Sequence, residues 1–83
     1  MYFRFDFCTS AFKHGIKEKD ILWAFRHYKY DGPLDDFENK FLRIGTNLSG
    51  NLLEIMYNEK DKFTVKIFHA MKCRSIYYPL LKA

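Results

Sequence analysis

The residues best suited to chemistry stand in the last quarter of the chain, Lys62–Leu81, which reads KFTVKIFHAMKCRSIYYPLL. His69, Lys72, Arg74, Tyr77 and Tyr78 cluster there, and from Lys62 to Ala83 five basic side chains meet no acid. An imidazole titrates near neutrality, fixed cations stabilise developing negative charge, and phenols donate hydrogen bonds, so this set can handle a phosphodiester. It can equally form a surface that holds an acidic partner. In the first case His69 is the general base or acid. Arg74 grips phosphate with a planar fork and Lys72 as a point charge. Tyr77 and Tyr78 either add flat ring faces to this surface or complete the core, and Lys66 adds a further cation.

These groups need elements to hold them. Phe63, Val65 and Ile67 alternate with Lys62, Thr64 and Lys66, the period of a half-buried strand, and His69 continues the apolar parity. As a plain structural residue it would be a boundary histidine bonded to backbone. His14 is a second candidate, ending a short turn next to Gly15; its structural reading is a bond to a terminal carbonyl. Arg43 stands on the parity opposite Leu42 and Ile44. It either crosses to the same site or pairs with Glu54 on the neighbouring strand, and the cross-strand pair is the expectation.

Eighty-three residues make one small domain (1–83) that must bury its nine Phe, six Tyr and one Trp efficiently. No run approaches the ~20 apolar residues of a membrane span. Arg4 and Asp6 interrupt the opening apolar stretch, so it does not read as a signal peptide, and a cytoplasmic protein is the default. Cys8 and Cys73 are too few for a disulfide framework. With three scattered His they propose no metal site, and no cofactor is implied. Residues 1–30 carry six Lys/Arg and three acids, residues 31–61 three and seven, and residues 62–83 five and none. Basic ends around an acidic middle can present a basic face to phosphate or to an acidic protein.

Taken in order, Phe3, Phe5 and Phe7 alternate with Tyr2, Arg4 and Asp6 as a first strand with three Phe facing a core. Thr9 or Ser10 caps a helical turn over residues 11–13, and Gly15 supplies the left-handed residue that ends it. A longer helix is expected at 17–29, with Glu18 and Asp20 in its first turn and Arg26, His27 and Lys29 in its last. Its apolar stripe is Ile21, Ala24, Phe25 and Tyr28, with Ile16 stapled onto Ile21. Trp23, at the margin, is either a partner contact or core. Asp31-Gly32-Pro33 breaks the helix and residues 34–38 read as irregular or a poor edge strand. Strands are expected at 37–46 and 52–58 around an Asn47–Asn51 hairpin loop. Residues 74–81 form a short helix closed by Pro79, or a tail. The expected fold is α+β: an N-terminal strand and two helices packed on a three- to four-stranded antiparallel sheet.

Four pieces of the chain together carry a resemblance. They are KHGI (Lys13–Ile16) followed by KDILWAFR (Lys19–Arg26), then RIGTNLSGNLLEIMY (Arg43–Tyr57), and IFHAMKCR (Ile67–Arg74) with YYPLL after it. Over about residues 12–78 the chain resembles BrnT-like toxins of type II toxin–antitoxin systems, in the RelE-like ribonuclease group. Better-known members carry Ser-Ala-Arg where this chain has His69-Ala70-Met71, so the role of that arginine does not carry over. The resemblance implies a RelE-like sheet, a cognate antitoxin (small and DNA-binding) forming a hetero-oligomer with the toxin, and metal-independent RNA cleavage. In such cleavage the ribose 2′-hydroxyl attacks the adjacent phosphate. The reaction needs a base, an acid and cations, for which His69, Arg74, Lys72, Arg43 and His14 are the candidates. The competing reading is a non-catalytic RNA- or protein-binding module using the same basic face.

Overall fold

A computed structural model describes residues 2–34 and 39–82. Chain order gives β1 (Arg4–Phe7), a 3-10 helix (Thr9–Phe12), α1 (Glu18–Arg26), β2 (Tyr28–Pro33), β3 (Lys40–Thr46), β4 (Leu52–Asp61), β5 (Thr64–Lys72) and a second 3-10 helix (Ser75–Lys82). The strands form one sheet in the order β1-β5-β4-β3-β2. β1 runs parallel to β5, with Arg4 opposite Thr64 and Phe7 opposite Ile67, and the other pairs are antiparallel. The α+β class therefore holds, but the sheet is five-stranded and mixed, not a three- to four-stranded antiparallel one.

The extra strand comes from the expected helix end. α1 stops at Arg26, and Tyr28 to Pro33 pair with Phe41 to Gly45 through a bulge at Tyr28/Tyr30. Two tyrosines spaced by two suit a strand better than a helix end. Pro33 is tolerated because β2 lies at the sheet's edge, where a missing N–H breaks no ladder. The expected breaker Asp31-Gly32-Pro33 is thus part of a strand. The start of the strand expected at 37–46 and most of segment 34–38 lie outside the described residues.

Alternation along the strands divides the apolar side chains between two faces. Leu53, Ile55, Tyr57, Val65, Ile67 and Ala70 pack with Ala11, Ile21, Ala24 and Phe25 on the helix side. Leu42, Ile44 and Cys73 pack on the other side under Tyr77, Leu80 and Leu81 of the C-terminal 3-10 helix. Pro79 lies inside that helix rather than closing it. α1 comes so close to the sheet that a Cβ on Gly45 would sit 2.0 Å from the Ala24 carbonyl oxygen. Only glycine fits there.

The turns follow their sequence signals. Gly15 has φ +78° and Gly50 φ +83°, and the Asn47 carboxamide oxygen accepts the backbone N–H groups of Ser49 and Asn51. Neither Thr9 nor Ser10 caps the first 3-10 helix; Cys8 takes that position, and Ser10 Oγ instead donates to the Phe68 carbonyl at 2.6 Å. Two residues expected in the core are outside it: Phe3 is 67% exposed and Phe63 53%. Both precede the strands they were assigned to, and their rings pack on one another with centroids 5.8 Å apart. Trp23 is exposed too, stacked on His27 with centroids 4.1 Å apart. No helix among the described residues is long and apolar enough to cross a membrane.

Candidate functional site

β4 places an acid in the middle of an apolar strand, LLEIMY, and Glu54 is fully buried. Its register partners are Ile44 on β3 and Met71 on β5, so the carboxylate faces the C-terminal 3-10 helix. A charge taken out of water must be met by donors. Arg74 supplies three: its backbone N–H at 2.9 Å, Nε at 3.0 Å and Nη2 at 2.7 Å. His69 Nε2 supplies the fourth contact at 2.9 Å. Burial by itself raises the Glu54 pKa. The Arg74 donors and then His69 outweigh it and hold the carboxyl below the ordinary 4.5.

An ionised carboxylate only accepts hydrogen bonds, so His69 Nε2 carries a proton toward Glu54, and in the corresponding neutral tautomer Nδ1 carries the lone pair. A bulge aims this ring. Met56 faces His69 while Tyr57 faces Ile67, so Phe68 is the extra residue and the parity reverses. The expected continuation of the Phe63–Val65–Ile67 face into His69 is therefore wrong, and Ala70 joins that core instead. His69 lies on the Glu54 side of the sheet.

His14, 55 positions earlier in the chain, reaches the same place. The turn after the first 3-10 helix, closed by a Gly15 N–H bond to the Phe12 carbonyl, sets its ring edge-on to His69 with centroids 5.5 Å apart. His14 is exposed and His69 half-buried. Lys66 pairs with Asn58 and His69 with Met56; Asn58 and Met56 are two apart in β4, so both basic residues stand on one face. Arg74 stays 46% exposed despite its bonds to Glu54, leaving Nη1 without a bond to that carboxylate. Its guanidinium lies 5.6 Å from the Tyr77 ring centroid. Tyr77 is half-buried against the Leu42/Ile44 cluster, and Tyr78 is 45% exposed on the same helix.

Two candidates lie elsewhere. Lys72 is exposed and opposite Leu53, on the helix side of the sheet. Arg43 also faces the helix side, and its expected pairing with Glu54 does not form, because Glu54 sits beside Ile44 instead. Arg43 bonds Asp31 at 3.1 Å and the Phe25 carbonyl at 3.0 Å. Its guanidinium sits between the rings of Phe25 (4.0 Å) and Tyr28 (3.9 Å). Tyr57 OH donates to Asp31 at 2.6 Å, and burial followed by that bond pushes the phenol well above its ordinary value.

The structure thus brings His14, His69, Arg74 and Lys66 to one side of the molecule and sends Arg43 and Lys72 to the other. The residue that organises the group is Glu54. Its signal was in the sequence: an acid flanked on both sides by apolar residues in a strand is buried only when something pairs with it. No family model matches the chain, and no curated protein matches it.

Proposed function

We propose that the chain is the toxin of a type II toxin–antitoxin system, a metal-independent endoribonuclease that inhibits growth until a cognate antitoxin covers its basic site. The observation that carries this reading is the His14–His69 pair anchored on Glu54. Cleavage by a 2′-hydroxyl requires one group to take a proton and another to give one, and two adjacent imidazoles are suited to both.

In this reading the hydrogen bond to Glu54 suits His69 to the part of the base. His69 Nδ1 accepts the 2′-hydroxyl proton, and the Glu54 carboxylate stabilises the imidazolium so formed. The 2′-oxygen bonds to phosphorus, the bond to the 5′-oxygen breaks, and protonated His14 gives that oxygen its proton. The products are a 2′,3′-cyclic phosphate and a 5′-hydroxyl. Arg74 and Lys66 offset charge on the equatorial oxygens. Arg74 is held in place by the two bonds it gives to Glu54, so it is pre-oriented for this role.

One observation favours the non-catalytic reading: most of the Arg74 charge is already answered by a buried carboxylate, as in a structural ion pair. Expression of wild type beside a His14→Ala/His69→Ala variant, with total RNA examined as growth changes, separates the two. Growth arrest with new RNA ends bearing cyclic phosphate, absent from the variant, is expected. Soluble, folded protein that leaves RNA intact would give the binding module the better claim.

A further inference from the structure

Away from the histidines, a groove of about 930 Å³ opens between the start of β1, the turn before β5 and the end of α1. Three rings stand exposed on it: Phe3 at 67%, Phe63 at 53% and Tyr28 at 50%. Such rings in a chain this small normally go inside, and an exposed apolar cluster marks a binding surface. Two cations line the same groove, Arg26 and Lys62. Neither has a carboxylate partner among the described residues. The groove's acid, Glu59, is occupied by the Tyr2 hydroxyl. The groove therefore offers exposed aromatic faces beside two cations that have no carboxylate partner among the described residues.

We infer that this groove binds single-stranded RNA, with bases stacked on Phe3, Phe63 and Tyr28 and phosphates on Lys62 and Arg26. Exposed rings and cations together in one groove suit the bases and phosphates of an unpaired strand, whereas a duplex keeps its base faces hidden. The guanidinium of Arg43 already covers one face of Tyr28 at 3.9 Å, which fixes the ring and leaves its other face for a base. Arg26 is likewise set, 5.2 Å over the ring of Phe5. The choice of RNA over DNA rests on the nuclease reading above. Phe63 stands just before β5 and six residues before His69, at most about 20 Å away along the chain at ~3.3 Å per residue. The groove thus grips the strand at a distance from the bond being cut, and contributes affinity for long RNA rather than chemistry.

Fluorescence anisotropy with a labelled single-stranded 12-mer of 2′-O-methyl RNA, which has no hydroxyl nucleophile, tests this independently of cleavage. Wild type should bind the single strand more tightly than the matching duplex. Phe3→Ala/Phe63→Ala, at two exposed positions, should weaken binding by about tenfold or more while circular dichroism stays unchanged. Lys62→Ala should weaken it by several-fold and lower the slope of log affinity on log salt by about one. Wild-type binding by both variants, or no binding by the wild type, overturns the inference. So does a polyglutamate peptide that binds at least as tightly and is lost with the same variants, since the groove would then be a protein-docking surface. His-dependent cleavage with unaffected groove variants would sink this inference alone. Groove-dependent binding without any cleavage would leave it standing and sink the nuclease reading.

Discussion

Two arginine–carboxylate clusters occupy opposite faces of the same sheet. On the helix side, Asp31 and Arg43 are closed in by Phe25, Tyr28 and Tyr57, and Arg43 is only 9% exposed. On the other side, Glu54 is buried but Arg74 and the two histidines reach the surface. The first cluster spends its donors on backbone and side chains that hold β2 and α1 in place. The second also anchors structure, since Arg74 leads into the C-terminal 3-10 helix, yet leaves His69 Nδ1 and Arg74 Nη1 without a bond to Glu54. The same pair of residue types is sealed where aromatic rings close over it and reaches the surface where Arg74 is only partly covered.

The sharpest break of this contrast is in activity. His69→Ala is expected to cut single-turnover RNA cleavage by about 10³-fold, the range of a lost general base. The double variant with His14→Ala should be little worse than either single one, because the two act in one step. Thermal stability should move little, since Arg74 still satisfies Glu54. A variant that unfolds or that cleaves normally would place His69 with the structural cluster.

Arg43→Met should do the opposite. It leaves the Phe25 carbonyl without its donor and Asp31 with the Tyr57 hydroxyl alone, and should cost about 3 kcal/mol in a denaturant titration. Cleavage per folded molecule should be unchanged below the transition. A loss of activity larger than the folded fraction explains would join the two faces functionally.

Glu54→Gln tests whether the open cluster is also structural. Its amide replaces two acceptor oxygens with one and sets its NH₂ against Arg74, so about 2 kcal/mol of stability should go, together with the fixed His69 tautomer. The pH dependence gives a cleaner signature. A Glu54 pKa below its unfolded value stabilises the fold above about 4.5, and this contribution fades as pH falls through the folded value. Wild type should therefore lose stability on the acid side more steeply than Glu54→Gln. Equal acid limbs would mean that Glu54 is not held ionised.

How far the sequence announced this arrangement depends on what set each element. Strands β3, β4 and β5, the hairpin glycine and the α1 core stripe of Ile21, Ala24 and Phe25 follow from local periodicity and turn chemistry, and all were legible. β2 was not, because Tyr28 and Lys29 continue a helical pattern until pairing with β3 overrides it. The parallel placement of β1 depends on a contact between the two ends of the chain, which no local window contains. In the site, His69 and Arg74 were legible as candidates and Glu54 as an acid in an apolar strand, but not their pairing. One bulged residue, Phe68, reverses the parity that set His69 on the apolar face, and the opposite parities of Arg43 and Glu54 appear only once register is known.

The alkaline limb is the mirror of the acid one and belongs to the sealed face. Burial first, and then the bond to Asp31, raise the Tyr57 phenol; burial and the bond to Glu59 push Tyr2 from 10.0 up to about 12. A phenol harder to ionise in the folded state stabilises the fold fully below pH 10, and that contribution is lost as pH rises through the folded value. Tyr57→Phe should cost only about 1 kcal/mol at pH 7, because Asp31 keeps its bond to Arg43. It should also flatten the fall in stability above pH 10 and leave the acid limb as in wild type. Denaturant midpoints measured from pH 3 to 11 for wild type, Tyr57→Phe and Glu54→Gln would show this directly. If Tyr57→Phe altered the acid limb, or Glu54→Gln the alkaline one, the two clusters would be a single coupled network rather than two sites divided by a sheet.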